Sequence, residues 1–471
     1  MNTHSLFAEA AASAPATRYA LAVPRDSRRA LAAAWLWLAL AALIGSGVFS
    51  ILLVLSRMPY IKDAFGLAEF FRVALVVHVD LSVLVWFAAF GGMLWCLNGT
   101  RRLLGLGWAG LVATAAGTLV MCIAPFLGNA PPVMSNYVPV LDGQPFLWGL
   151  ALFAGGCTLL VVRSMLAAPR VGMRPDGAAA LRFGLNSGLV SAAVALFAFA
   201  WSYCALPSQL DGKAYFEVLF WGGGHVLQFT WTLLMFVAWL WLAEAIGVPV
   251  ALSPRVSILL FAIALVSVFA TPVIYLAYDV VSLEHYRLQT WLMRIGGSLA
   301  IVPFALAAAF AAVRARPASD ARPLRSALAW SIVLFGAGGL IGLAIHDNNV
   351  KIPAHYHGSI VGVTLALMGL AYHLLPQMGY ARPAPRLATL QTWLYGTGQL
   401  LHVVGLVWSG GYGVQRKVAG AAQILHSTQE IAAMSLMGLG GLLAVAGGIL
   451  FIVVMLRAML ANPWTSSTSP P

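Results

Sequence analysis

Five histidines fall inside long apolar stretches of the chain: His78, His225, His355, His357 and His402. Imidazole binds transition metals through either ring nitrogen and titrates near neutrality. An ionisable side chain within a stretch apolar enough to lie in lipid is costly, so each is a candidate for chemistry. One such histidine could equally be a hydrogen-bonded packing group; five at a common depth point to bound metal. The pair His355-Tyr356-His357 adds geometry, because residues two apart on a helix are turned by about 200° and face nearly opposite sides. They cannot hold one metal together, so they flank two separate centres, and planar haems ligated by imidazole suit such a helix.

These residues need helices to bring them to one level. The chain has 471 residues, 61% hydrophobic and 9% charged, with a mean hydropathy of +0.87, far from a soluble domain. Apolar runs recur at the ~20 residues a helix needs to cross ~30 Å of hydrocarbon. They predict an all-α integral membrane protein of twelve transmembrane helices, near 30–55, 67–97, 103–127, 145–167, 183–206, 215–246, 256–279, 290–313, 324–345, 353–375, 388–410 and 429–456. Residues 1–29 and 460–471 are expected as cytoplasmic tails and 30–459 as one membrane domain. Clusters such as Arg25/Arg28/Arg29, Arg101/Arg102, Arg314/Arg316 and Arg382/Arg386 place the N-terminal side in the cytoplasm. The +12 net charge therefore reads as topology, and no basic stripe on a soluble element suggests nucleic acid. In this topology His78, His225, His355, His357 and His402 all fall toward the outer face, while His373 lies deeper and, like His4 and His426, receives no role.

The four cysteines stand singly in apolar spans, with no CxxC or CxxCH. The chain thus carries neither a covalent c-type haem nor a cysteine-bridged copper pair, and electrons must come from another protein. No internal repeat is visible, and the polar groups gather near one face instead of the midplane, which argues against a secondary transporter.

The segments HVDLSVLVWFAAFGG from His78, FWGGGHVLQF (Phe220–Phe229), IPAHYHGSIVGVTLALMGLAYHLLP (Ile352–Pro376) and HVVGLVWSGGYGVQRKV (His402–Val418) resemble spans two, six, ten and eleven of haem–copper oxidase catalytic subunits. Order and spacing match over nearly the whole chain, implying the subunit I bundle. The resemblance makes His78 and His357 the axial ligands of a low-spin, bis-histidine haem and His355 the proximal ligand of a high-spin haem. It makes His225 a ligand of the non-haem metal facing that second haem. Arg416 and Lys417 match a basic pair that holds haem propionates, His346 and Asp347 resemble the neighbouring propionate region, and His402 belongs to the same haem-binding group.

Departures from the oxygen-reducing members bear on substrate. Their Tyr, one helical turn after the span-six His, is Phe229 here; their Glu at the second position after it is Leu227, followed by Gln228; and the channel Lys of span eight is Ala307. None of Phe, Leu or Ala carries protons. The adjacent His-His pair of span seven, counted back from Pro303, falls on Ala277-Tyr278-Asp279. Asp279, a hard oxygen donor, would suit iron better than copper. An alternative alignment uses His285 with Glu284 beside it, beyond the expected helix end. A member lacking the Tyr and the inner channels resembles the nitric oxide reductases, with Asp279, Glu284 or Gln228 ligating metal or passing protons. The alternative is an oxygen reductase in which Tyr275 or Tyr278 replaces the missing Tyr. The implied cofactors are two haems and one non-haem iron or copper. The implied partners are a subunit II-like electron donor of copper or cytochrome c type, NO or O2, and membrane lipid, in a bacterial-type inner membrane.

Overall fold

A computed structural model describes residues 18–55, 70–128, 130–172, 175–346, 349–415 and 427–461. Within these residues the fold is helical apart from one short hairpin. The helices are α1 Ser27–Leu55, α2 Phe70–Asn98, α3 Leu104–Ile123, α4 Gln144–Leu166, α5 Gly177–Ala205, α6 Gly212–Ala245, α7 Pro254–Ala277, α8 Leu283–Arg314, α9 Arg322–Leu343, α10 Lys351–Gln377, α11 Pro385–Gly411 and α12 Thr428–Leu460. Eleven of them are long and apolar enough to cross a membrane. The other, α11, is a 27-residue helix carrying Gln391, Thr392, Gln399 and His402, and it packs on α9, α10 and α12. Its polar side chains are answered by neighbouring helices, as Tyr372–Gln391 and Ser326–Thr392 show. The expected twelve-helix membrane architecture is what the chain adopts.

Helices α6 and α10 form the centre. Trp239, Phe236 and Leu234 of α6 and Leu365, Leu370 and Leu374 of α10 are almost wholly buried among neighbours from α1, α2, α5 and α9. Sequential helices pair: α3 with α4, α5 with α6, α9 with α10, and α11 with α12. Residues 18–26, ahead of α1, are also fixed to the bundle. Tyr19 is fully buried, its hydroxyl donating to the Leu252 carbonyl at 2.9 Å and bonding Ser257 Oγ at 2.8 Å. Burial pushes its phenol up to about 12.

Three helices are interrupted, each near a candidate site residue. In α2 the turn after His78 widens into a π-helix, Asp80–Val85; such bulges insert an extra residue and re-aim side chains. In α7 the helix breaks at Phe269, where the ring of Pro272 crowds the carbonyl of Val268. In α8 a break follows Gly296, and the first half begins earlier than the apolar pattern indicated. Ser282 caps it, its hydroxyl accepting from the His285 amide at 3.1 Å. His285 therefore lies in the first turn of a helix, not beyond a helix end.

The hairpin sits between α3 and α4. Strand β1, Pro132–Val133, pairs antiparallel with β2, Val140–Leu141. Its tip is drawn toward α6 by Asn136, whose amide hydrogens are accepted by the Glu217 carboxylate.

Candidate haem and metal site

Each candidate histidine is oriented by its Nδ1 atom. His78 Nδ1 bonds the Ser46 carbonyl and hydroxyl of α1, both at 3.0 Å. His355 Nδ1 donates to the Gly338 carbonyl of α9 at 2.7 Å, and His402 Nδ1 to the Met437 carbonyl of α12 at 3.0 Å. His225 Nδ1 donates to the Trp221 carbonyl at 2.7 Å, and His357 Nδ1 meets Gln399 Oε1 of α11 at 3.3 Å. A carbonyl only accepts, so Nδ1 carries the hydrogen and Nε2 carries the lone pair. This is how metal-binding histidines are held by their outer-shell partners. Among the described residues, the Nε2 atoms of His78, His355 and His357 are left for a ligand.

The histidines sort into two groups. His357 and His402 lie with ring centroids 4.5 Å apart, and His78 is close enough to act on His357 electrostatically. His355 turns the other way, to α9, while His357 turns to α11, as the two-residue spacing requires. The His355 ring lies against Gly342, where any side-chain carbon would come within 2.7 Å of it.

The second group surrounds His225, which is 2% exposed. Its Nε2 accepts from the Tyr137 hydroxyl at 2.9 Å. Burial raises the Tyr137 phenol well above the ordinary tyrosine range. Tyr356, between the two haem-ligand candidates, lies within electrostatic reach of Tyr137. The run Gly222-Gly223-Gly224 makes this packing possible: a side chain on Gly222 would strike Tyr275, on Gly223 Phe199, and on Gly224 Tyr137. His285 acts electrostatically on His225 and packs edge-on against Tyr275, with centroids 4.6 Å apart.

Other expected residues stand elsewhere. Helix α7 ends at Ala277, so Tyr278, 40% exposed, and Asp279 fall in the exposed turn before Ser282. Asp279 was expected beside His225; the buried residue brought near it from this region is His285, because Ser282 starts α8 early. Glu284 is exposed and Gln228 half-buried. Tyr275 is buried but committed to Ser202 Oγ at 2.7 Å and the Ala198 carbonyl at 3.1 Å. Arg416, Lys417 and Asp347 lie outside the described residues. Just ahead of Arg416, Asn349 and Gln415 form a β-bridge and the Val350 amide donates to the Val414 carbonyl, tying this segment to the start of α10.

Among the described residues no three His, Cys, Asp or Glu side chains converge as a metal-binding group. The donors nevertheless fit haem: His78, His225, His355 and His402 each have Nδ1 tied to a backbone carbonyl. Sequence reasoning missed Ser46, Gly338 and Gln399, which orient the candidate histidines, and Tyr137. No spacing signal links Tyr137 to His225; only the hairpin joins them.

A large apolar cavity of about 570 Å³ lies between α2, α4, α5 and α6, and its lining includes Phe199, Phe220 and Leu227, the last of them two residues past His225 in sequence.

A bundle of this kind, with imidazoles oriented for iron, defines a haem-binding membrane oxidoreductase subunit. Residues 30–450 match the family described as Cytochrome C and Quinol oxidase polypeptide I, and the chain belongs to that family. Its members bind two haems and a metal at a binuclear centre. A protein of Rickettsia prowazekii (strain Madrid E) with no assigned role is 29% identical over 92% of this chain and 97% of its own length. A cytochrome c oxidase subunit 1 of Thermus thermophilus is 25% identical over 86% of this chain and 79% of that protein. A heme-copper terminal oxidase dimer solved by cryo-electron microscopy shares the fold, with a TM-score of 0.67 at 15% identity over 93% of this chain and 85% of that one.

Proposed function

We propose that this chain is the catalytic subunit of a membrane nitric oxide reductase, converting two NO, two electrons and two protons to N2O and water. The observation that carries this reading is Phe229, buried on α6 one helical turn past His225, where oxygen-reducing relatives resemble one another in having Tyr. Joining two nitrogens breaks no O–O bond and asks for no extra oxidising equivalent from a phenol. Leu227 and Ala307 leave no proton carrier at two further positions that oxygen reductases use.

His78 and His357 would hold the low-spin haem and His355 the high-spin haem, with His225 on the open side of the latter. When bound, the haems and the second metal supply electron relay and a place where two NO molecules are held together. The protein's part is to orient the imidazoles, to exclude water with Phe229 and Phe199, and to admit an apolar gas through the cavity that Leu227 helps to line. Electrons would enter from a subunit II-like partner.

Oxygen reduction is the second reading, favoured by the Tyr137 hydroxyl on His225 Nε2, a phenol beside the site from an unrelated element. Purified, haem-loaded protein given a chemical reductant distinguishes the two. NO consumption more than tenfold faster than O2 consumption, with N2O formed, supports the proposal. Dominant O2 consumption that collapses in Tyr137→Phe overturns it.

A further inference from the structure

The first half of α8, Leu283–Gly296, presents four distinct faces. One meets α7: His285 packs on Tyr275, and a side chain on Gly296 would strike Ser267. The next meets α6: Tyr286 stacks on Trp221, and a side chain on Gly297, just past this half, would lie 3.8 Å from Phe229. Leu288, Trp291 and Ile295, spaced three and four apart, form an exposed apolar stripe suited to lipid. The remaining stripe, at the same spacing, is Arg287, Thr290 and Arg294, and both arginines are exposed.

Going round the helix at about 100° per residue, this polar stripe follows the α6 face on the side away from α7. The second half of α8 packs on α6 and α9, and α10 packs on both of those helices. The stripe therefore looks into the space that α6, α9 and α10 border, and there Arg294 lies within electrostatic reach of His355. Arg294 sits about 16 Å along α8 from Leu283 at 1.5 Å per residue, level with the stretch from Trp221 to Phe229 that holds His225. A charge this deep in a span is costly and marks function, and a guanidinium keeps its proton there. The two ion pairs among the described residues are made by Arg28 and Arg382, so among them no carboxylate neutralises Arg294.

We infer that Arg294 sets the reduction potential of the haem held by His355: its fixed positive charge, facing that position from α8, favours the arrival of the electron there. Reduction from ferric to ferrous adds one negative charge, which a nearby guanidinium stabilises, and the membrane interior screens this attraction less than water does. His357 turns the other way, toward α11, so the low-spin haem feels the charge less. The inference rests on the reading of His355 as the high-spin haem ligand and holds whether NO or O2 is reduced.

The test is a redox titration of purified, haem-loaded protein, with the two haems followed separately by their absorption spectra and the high-spin haem identified by carbon monoxide binding. Arg294→Gln should lower the reduced-to-oxidised ratio of the high-spin haem by ~10-fold at a fixed potential, a shift of about 59 mV for one electron. The low-spin haem should shift by less than half as much. Arg294→Lys keeps the charge and should stay close to wild type. Arg287→Gln removes a charge from the first turn of α8, where water and salt screen it, and should leave both haems near their wild-type potentials. Arg294→Met removes the same charge as Arg294→Gln and replaces it in the test if the Gln variant does not retain haem. An unchanged high-spin potential overturns the inference, and a role confined to the C-terminal end of this half-helix would give that result with a lowered melting temperature. An equal shift of both haems, or a shift in Arg294→Lys as large as in Arg294→Gln, also overturns it. Retention of the high-spin haem in His355→Ala would overturn the assignment of His355 and the inference with it, whereas failure at Arg294 leaves that assignment standing.

Discussion

A histidine becomes a ligand only when its second nitrogen is held, and here the holders are unremarkable residues on other helices. Ser46, Gly338 and Met437 offer backbone carbonyls, and Gln399 offers an amide oxygen. Loss of such an outer-shell bond typically costs 10–100-fold in metal affinity; loss of the ligand costs the centre. His78→Ala and His357→Ala should each abolish the low-spin, bis-histidine haem signal while the high-spin haem stays at least partly bound. Absorption and magnetic circular dichroism spectra check this, and a surviving bis-histidine signature in both variants would refute the assignment. The residues of greatest consequence around His225 are ones whose roles depend on distant partners. Tyr137 arrives from a hairpin, and His285 is buried against Tyr275 because Ser282 starts α8 early.

At the scale of elements, close helix contact sets the orientation of His355, the proposed high-spin haem ligand. Helix α9 presents Gly338 and Gly342 to α10, and the His355 ring lies directly over Gly342. Small residues let membrane helices approach this closely. A valine at Gly342 would put carbon within 2.7 Å of His355 Nδ1 and Cε1, an overpacking that costs about 1–3 kcal/mol where it can be relieved. The cheapest relief is to tilt the imidazole off its bond to the Gly338 carbonyl. Gly342→Val should therefore lower high-spin haem occupancy by at least half, read from carbon monoxide binding, while the low-spin signal from the opposite face of α10 remains. Equal loss of both haems would mean that the substitution unfolds the bundle.

For the whole molecule, the distribution of proton carriers matters most. On the proposed reading, Leu227, Phe229 and Ala307 replace the proton carriers of the oxygen reductases that the chain resembles, and Leu227 also lines the apolar cavity. The proposed reaction consumes two protons, and they should come from the side that the basic residues predict to be outer. Vesicles containing the protein and turning over NO should show no net outward pumping. Outward acidification that is insensitive to substitutions at the histidine-bearing end would contradict this.

Much of this protein was legible in its sequence because lipid imposes strict rules. A backbone crossing hydrocarbon must be helical, so hydropathy alone marked the helices and a two-residue spacing showed that His355 and His357 face apart. Histidine is costly in such a setting, which singled out His78, His225, His355, His357 and His402. What the sequence could not decide depended on contacts between distant segments or on a helix end. Asp279 looked well placed by counting back from Pro303, but α7 stops at Ala277 and leaves it exposed. Tyr137 reaches His225 across a separation of 88 residues because a hairpin, held by Glu217, lays its ring against Gly224. Periodicity reports the faces of one helix, whereas a metal site is made where several helices meet, and that meeting is set by tertiary packing.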